Sequence, residues 1–285
     1  ETVMTIRQLM LHTSGMYYPE SASPELARKL NQAISEANDL ASLSRNLATL
    51  PLINDPGRKW AYSISPAILG RLIEVVSHKP FAVFLKERIF NPLKMDSTAF
   101  TPTDPKRLVD IQFSLPENAV ENQSQGQRNI GPEILTFAML GISKLPAIHA
   151  GDSGLFSTLS DYERYVRMLM NDGELDGVYI ISPSTAKMMR SSQLPLSSGG
   201  PPWFGGTMLV GMNVYTPPND GSGPAGIPPG SFIGGGAATT AYLADPTVKG
   251  TAVFMTALLP TDNSMATHFM KISRTAMESK NSSRE

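Results

Sequence analysis

Cysteine is absent from this chain. That excludes a disulfide framework, a thiolate nucleophile and any zinc site built on cysteine, and it leaves the compartment open. Histidine is scarce. His12, His78, His149 and His268 are scattered with no pair at i,i+4 spacing, so no metal site is expected. Neither sign of charge is in excess, with 24 basic against 25 acidic side chains and a net charge of −1. Without a basic field to attract phosphates, nucleic acid is not an expected partner. No apolar run approaches the roughly 20 residues that cross a bilayer, so no membrane partner is expected either. A starting methionine is lacking too. Glu1-Thr2-Val3-Met4-Thr5-Ile6-Arg7 carries no signal-peptide pattern, and helical periodicity begins almost at once. The expectation is a chain that starts inside a domain.

What is present is ordinary for a globular protein: 285 residues, 41% hydrophobic and 17% charged, enough for one large core or two lobes sharing an interface. The 15 methionines suggest adaptable packing rather than a cofactor site, and no cofactor is expected. Residues 5–12 place Ile6, Leu9 and Met10 on one helical face, with Thr5 as N-cap and Gly15 suited to a left-handed ending. Ser23-Pro24-Glu25 starts a second helix, and residues 40–50 make a third before Pro51. Ser65-Pro66 opens a fourth, with Ile68, Leu69, Leu72, Ile73 and Val76 inward, and residues 81–89 are helical again. Residues 101–148 read as an excursion across the surface. A helix follows over 160–171, then a short one over 184–190. Beyond Ser191 come Gly/Pro-rich loops over 197–206 and 216–230, strand-like pieces at 208–210, 239–243 and 251–259, and a closing helix over 265–277. Helices first and a strand meander after make an α+β arrangement. Residues 1–150 are expected to form a mainly helical lobe and 151–285 an α/β lobe, interdigitated into one unit.

Two features carry chemistry. Asp55-Pro56-Gly57 is a turn, and Tyr62 follows it at the mouth of the helix that Ser65-Pro66 opens, which puts a phenol on a rigid element. A phenol of pKa ~10 is a poor base at neutral pH unless a cation stabilises its phenolate, and a core tyrosine is the plainer reading. The second feature is Phe232-Ile233-Gly234-Gly235-Gly236-Ala237-Ala238-Thr239-Thr240. Three glycines let a substrate approach a sheet edge and meet free N–H groups, as an oxyanion hole requires; a flexible hairpin entry or bulge is the plainer reading.

In order along the chain, these segments resemble the serine β-lactamase-related superfamily, which includes class C β-lactamases, family VIII carboxylesterases and related acyltransferases. Thr5-Ile6-Arg7-Gln8-Leu9-Met10-Leu11-His12-Thr13-Ser14-Gly15-Met16 resembles the family's TIRxLLxHTSGL run. Pro56-Gly57 followed by Tyr62-Ser63 is similar to PGxxxxYS, and Ile89-Phe90-Asn91-Pro92-Leu93-Lys94-Met95 to IFxPLGM. Gly154-Leu155-Phe156-Ser157-Thr158 with Asp161-Tyr162 resembles GLxSTxxDY. The resemblance implies a β-lactamase/transpeptidase-like fold, an antiparallel sheet flanked by helices plus a helical lobe, with the active site in the seam. It implies acyl transfer through a serine whose proton is shuttled by a lysine and a tyrosine while backbone N–H groups hold the oxyanion. Tyr62 maps to that tyrosine, Gly234, Gly235 and Gly236 to the third motif, and the Ala237 N–H to an oxyanion donor. Ile64 and Trp203 are candidate pocket residues.

Three departures shape the expectation. The nucleophile's Ser-x-x-Lys belongs ahead of Thr5 in the family, and the Ser184-Thr185-Ala186-Lys187 of this chain stands at an ordinary helix start instead. Ile64 replaces the asparagine of the class C Tyr-x-Asn motif, which tilts the reading toward esters. Gly234 stands where the family carries a Lys, His or Trp, so no side chain there contacts a substrate carboxylate. Gly151-Asp152-Ser153-Gly154 resembles the nucleophile segment of chymotrypsin-like proteases, but no matching His and Asp lie upstream, and it is rejected. The functions left open are a carboxylesterase-like hydrolase of small esters or lactams, an acyltransferase to a small-metabolite alcohol, and a non-catalytic binding or scaffold protein of the same fold.

Overall fold

Helix starts in the first half of the chain are set by local hydrogen bonds. Thr5 and Gln8 form a reciprocal capping box that begins α1, Ile6–Met10, with the Gln8 side chain accepting from Thr5 N at 2.8 Å. Ser23 caps α2, Pro24–Ser35, and Asp39 with Ser42 forms a second capping box for α3, Leu40–Leu47. α4, Ser65–Ser77, has proline in its first turn and ends at His78 in the left-handed region, φ 55. α5, Phe81–Leu85, runs into a π-helical turn, Lys86–Phe90, in which Asn91 N reaches back five residues to Lys86 O at 2.8 Å. The spacing predicts plain helices over 40–50 and 81–89. In the structure α3 closes earlier through tight bonds, Thr49 N to Asn46 O and Leu50 N to Leu47 O, ahead of Pro51. Leu30, Leu40, Leu43, Leu47, Ile64, Ala67 and Phe81 make one buried cluster between these helices.

The computed structural model describes residues 3–113, 148–191, 193–194, 196–199, 207–209, 212–214, 227, 230–259 and 261–282. Most of the expected excursion over 101–148 and of the two Gly/Pro-rich loops, with Val210, lies outside them. After β1, Gln112–Phe113, the described chain resumes at Ile148 and leads to α6, Leu159–Met170, capped by Thr158. β2, Glu174–Leu175, and β3, Val178–Tyr179, form a hairpin whose turn puts Asp176 and Gly177 at positive φ. α7, Pro183–Met189, follows.

The main sheet is an antiparallel meander of β4 (Thr207–Leu209), β5 (Met212–Val214), β6 (Phe232–Gly236), β7 (Thr240–Asp245) and β8 (Gly250–Phe254) in that spatial order. The strand expected over 251–259 splits, its end becoming β9, Leu258–Leu259, which pairs in parallel with β1. α8, Asn263–Ser282, closes the chain and is longer than the expected 265–277. Strand alternation divides the core. Phe232, Tyr242 and Ala244 pack with Val166, Met168 and Leu169 of α6 and with Phe90, Leu93 and Met95, while Ile233 and Leu243 pack with Met270 of α8. On the α8 side Asp245, 0% exposed, pairs with Arg274 at 3.3 Å and accepts from Thr247 N and Oγ1. An antiparallel sheet flanked by helices, with a helical cluster ahead of it in sequence, is the architecture the resemblance implies. Among the described residues no helix is long and apolar enough to cross a membrane.

Candidate active site

Tyr62 stands in the segment leading into α4, and that segment is laced to the residues after α1. Ala61 N donates to His12 O at 2.9 Å, Gly57 N to Thr13 O at 2.7 Å, and Ile53 N to Gly15 O at 2.9 Å. Gly15 is required by this lacing: its φ is +84, and a Cβ there would lie 2.1 Å from Asn54 O. Beneath the tyrosine four polar side chains are sealed from solvent. His12 Nδ1 accepts the Ser63 N–H at 3.2 Å, Ser63 Oγ lies 2.8 Å from Ser65 Oγ, and Ser65 Oγ lies 2.8 Å from Ser14 Oγ. His12 is 2% exposed and the three serines 0%. An accepting Nδ1 requires neutral imidazole protonated on Nε2, and burial holds the His12 pKa down to about 4. His12 also lies 3.0 Å from Ser63 Oγ, the spacing of a nucleophile and its base, yet no substrate can reach either group. The pair is a brace.

Tyr62 itself is 43% exposed, with its ring centroid 5.0 Å from that of His12 and 5.3 Å from that of Tyr18. The Tyr18 hydroxyl donates to Asp152 Oδ2 at 2.8 Å. Asp152 reaches this place because Gly151 passes directly over the first turn of α4, where a Cβ would sit 2.2 Å from Pro66 O. Desolvation is the largest cause raising the Tyr62 pKa, followed by the negative charges of Asp152 and Glu20. Burial also raises the carboxyl of Asp152, with the bond from Tyr18 opposing it. His12, Tyr18 and Asp152 were not legible as neighbours of Tyr62 in the sequence. The one signal was that Gly151 and Asp152 lie in a segment singled out for a different motif.

The glycine run is not a loop entering a strand but β6 itself. It pairs with β7 along its length, Gly234 opposite Tyr242, Gly235 opposite Ala241 and Gly236 opposite Thr240. Its described pairing to β5 covers only Phe232 and Ile233. Gly235 and Gly236 are exposed, and Gly234 is half-buried. Ala237, Ala238 and Thr239 make the three-residue turn to β7, with Thr239 in the left-handed region at φ 60.

A model of the family described as Beta-lactamase matches residues 1–276. The chain belongs to the Beta-lactamase family. An uncharacterised protein of Mycobacterium tuberculosis is 30% identical over 85% of this chain and 59% of its own length. Lovastatin esterase of Penicillium rubens is 30% identical over 60% of this chain and 41% of the esterase, and esterase EstB of Burkholderia gladioli 26% identical over 58% and 44%. The chain thus spans about half the length of the curated relatives it matches. Among solved structures, simvastatin synthase (LovD) from Aspergillus terreus superposes with a TM-score of 0.71 at 19% identity, covering 97% of this chain and 68% of that one. EstCE1, a hydrolase with promiscuous acyltransferase activity, superposes with a TM-score of 0.69 at 22% identity, covering 96% and 71%. At those identities the likeness is one of fold.

The remaining expected site residues of this Beta-lactamase family chain fall as follows. Ile64, two residues after Tyr62, is 3% exposed and belongs to the helical core cluster. Trp203 lies outside the described residues. Ser184 is exposed in the first turn of α7, its hydroxyl 2.9 Å from that of Ser182, the residue that caps this surface helix. The Tyr62 segment is tied to the second half of the chain by the Trp60 N bond to Ser198 O at 2.8 Å and by Trp60 packing near Leu11 and Leu194.

Proposed function

We propose that this chain is the tyrosine- and oxyanion-bearing part of a serine hydrolase that acts through an acyl-enzyme on small esters. The observation that carries the reading is the seat of Tyr62: an accessible phenol on a rigid, sealed polar base, in the family position of the proton-transfer tyrosine. In this mechanism a serine and lysine from the family's Ser-x-x-Lys complete the site. The serine attacks the ester carbonyl, its proton passes to Tyr62 and on to the leaving alcohol, and the Ala237 N–H holds the oxyanion. Asp152 and Glu20 oppose phenolate formation, so the lysine's positive charge has to bring the phenol into its working range. Ile64 in place of an amide, and Gly234 in place of a cationic or bulky side chain, favour uncharged esters over lactams bearing a carboxylate. The names of two relatives, lovastatin esterase and esterase EstB, agree with that choice.

Transfer of the acyl group to a small-metabolite alcohol is the second reading, motivated by glycine at position 234 in place of the family's Lys, His or Trp. The test uses the protein with a Ser-x-x-Lys ahead of Thr5, a fluorophosphonate probe, and p-nitrophenyl butyrate with and without an acceptor alcohol. Labelling with release of butyrate supports the esterase, and a butyrate ester of the acceptor supports transfer. Absence of both labelling and turnover overturns the enzyme reading in favour of a binding protein.

A further inference from the structure

The turn that carries Ala237 is gripped from outside by threonine side chains. A trans peptide holds its C=O and N–H antiparallel in one plane, so fixing a carbonyl fixes the direction of the N–H that follows it. Gly236 O accepts from Thr239 N at 3.1 Å, which sets the plane containing the Ala237 N–H. Ala237 O accepts from Thr261 Oγ1 at 2.7 Å, which sets the plane on the other side of Ala237. Thr256 Oγ1 donates to Ala238 O at 2.7 Å and lies 3.1 Å from Thr239 O, while Leu258 N bonds Ala238 O at 3.2 Å. The hydroxyl of Thr239 donates to Leu258 O at 3.0 Å and accepts from Asp262 N at 2.9 Å. The carbonyls of Gly236, Ala237 and Ala238 are therefore each held by a donor, and three of the partners come from the segment between β8 and α8.

Thr239 itself sharpens the point. A β-branched residue rarely adopts positive φ, and glycine would take φ 60 without strain. Its side chain is fully buried, and its hydroxyl makes two of the bonds just described. A hairpin needs none of this to turn. Holding both peptide planes about one residue is what a preorganised N–H donor needs.

We propose that Thr239, Thr256 and Thr261 are positioning residues that aim the Ala237 N–H at the oxyanion of the acyl-transfer reaction. This inference rests on the functional reading above. Thr261 is the position to test, because it is exposed and its substitution is expected to leave the fold intact. In the protein with a Ser-x-x-Lys ahead of Thr5, Thr261→Val is expected to lower kcat on p-nitrophenyl butyrate by about tenfold with KM within about twofold, a fraction of the loss on deleting an oxyanion donor. Fluorophosphonate labelling should slow in parallel, the melting temperature should not move, and Thr261→Ser should restore the rate. An unchanged kcat in Thr261→Val, or a loss that Thr261→Ser does not restore, overturns the proposal while leaving the esterase reading standing. A parent protein that neither hydrolyses nor labels overturns both. Thr256→Val gives an independent check with the same kcat-against-KM split expected.

Discussion

Gly234 lies directly beneath the ring of Tyr242: a Cβ built on it would be 2.3 Å from Tyr242 Cε1 and 2.7 Å from Cζ. The two residues are register partners on β6 and β7, and Tyr242 is 4% exposed, with its ring 5.8 Å from that of Tyr162. The absence of a side chain at position 234 is thus the room taken by an aromatic ring from the next strand. Gly234→Ala is expected to destabilise the protein by about 2 kcal/mol through overpacking. Gly234→Ala combined with Tyr242→Leu should recover most of that in denaturant unfolding. Equal losses in the single and double variants would contradict the packing account.

His12 makes stability depend on pH. Its folded pKa of about 4 is lower than the unfolded value of about 6.5, so between these values the unfolded chain binds the extra proton. Stability is complete above pH ~6.5 and falls progressively toward pH ~4, by roughly 3 kcal/mol in total from this one group. His12→Asn is the variant of choice, since asparagine tolerates the φ of 54 found there. Its unfolding free energy should vary less between pH 7 and pH 5 than that of the parent. A variant with the parent's slope would remove His12 from the account.

Asp152 should set where Tyr62 titrates. Burial is the largest cause raising the phenol's pKa and the negative charge of Asp152 the next, so Asp152→Asn is expected to move the tyrosine's ionisation part of the way toward lower pH. The absorbance change of phenolate formation reports this without any substrate, with Tyr62→Phe identifying the responsible transition. An unchanged or upward shift would show that the carboxyl is not charged when Tyr62 ionises.

The buried carboxylate of Asp245 anchors α8. Arg274→Met leaves that charge with Thr247 alone, and stability should fall by about 3 kcal/mol. Asp245→Asn together with Arg274→Met should cost less than the single change. Additive losses would mean that the two groups do not stabilise each other.

How much of this was legible in the sequence divides by distance along the chain. Local chemistry could be read: the Thr5 cap, the helix start at Ser23-Pro24 and the proline opening of α4 are each set within a few neighbouring residues. The family and its fold came from ordered motifs. The surroundings of Tyr62 could not be read, because His12 lies 51 residues from Ser63, and Tyr18 lies 134 residues from Asp152. No periodicity encodes such pairings. Gly234 is similar: three glycines suggest an entry loop, and only the register with Tyr242 shows a strand whose missing side chains are filled from across the sheet. The single strand expected over 251–259 failed for a related reason. Its middle turns aside so that Thr256 and Leu258 can meet the turn after β6.

The central claim is that Tyr62 transfers the proton in acyl transfer, and the most direct measurement is the kcat of Tyr62→Phe on p-nitrophenyl butyrate in the protein carrying a Ser-x-x-Lys ahead of Thr5. Loss of the hydroxyl leaves the ring on His12 and Tyr18, so the fold and melting temperature should persist. The account predicts a fall in kcat of about 100-fold or more, the scale of a lost general acid–base group. A variant that turns over within about twofold of the parent would contradict it.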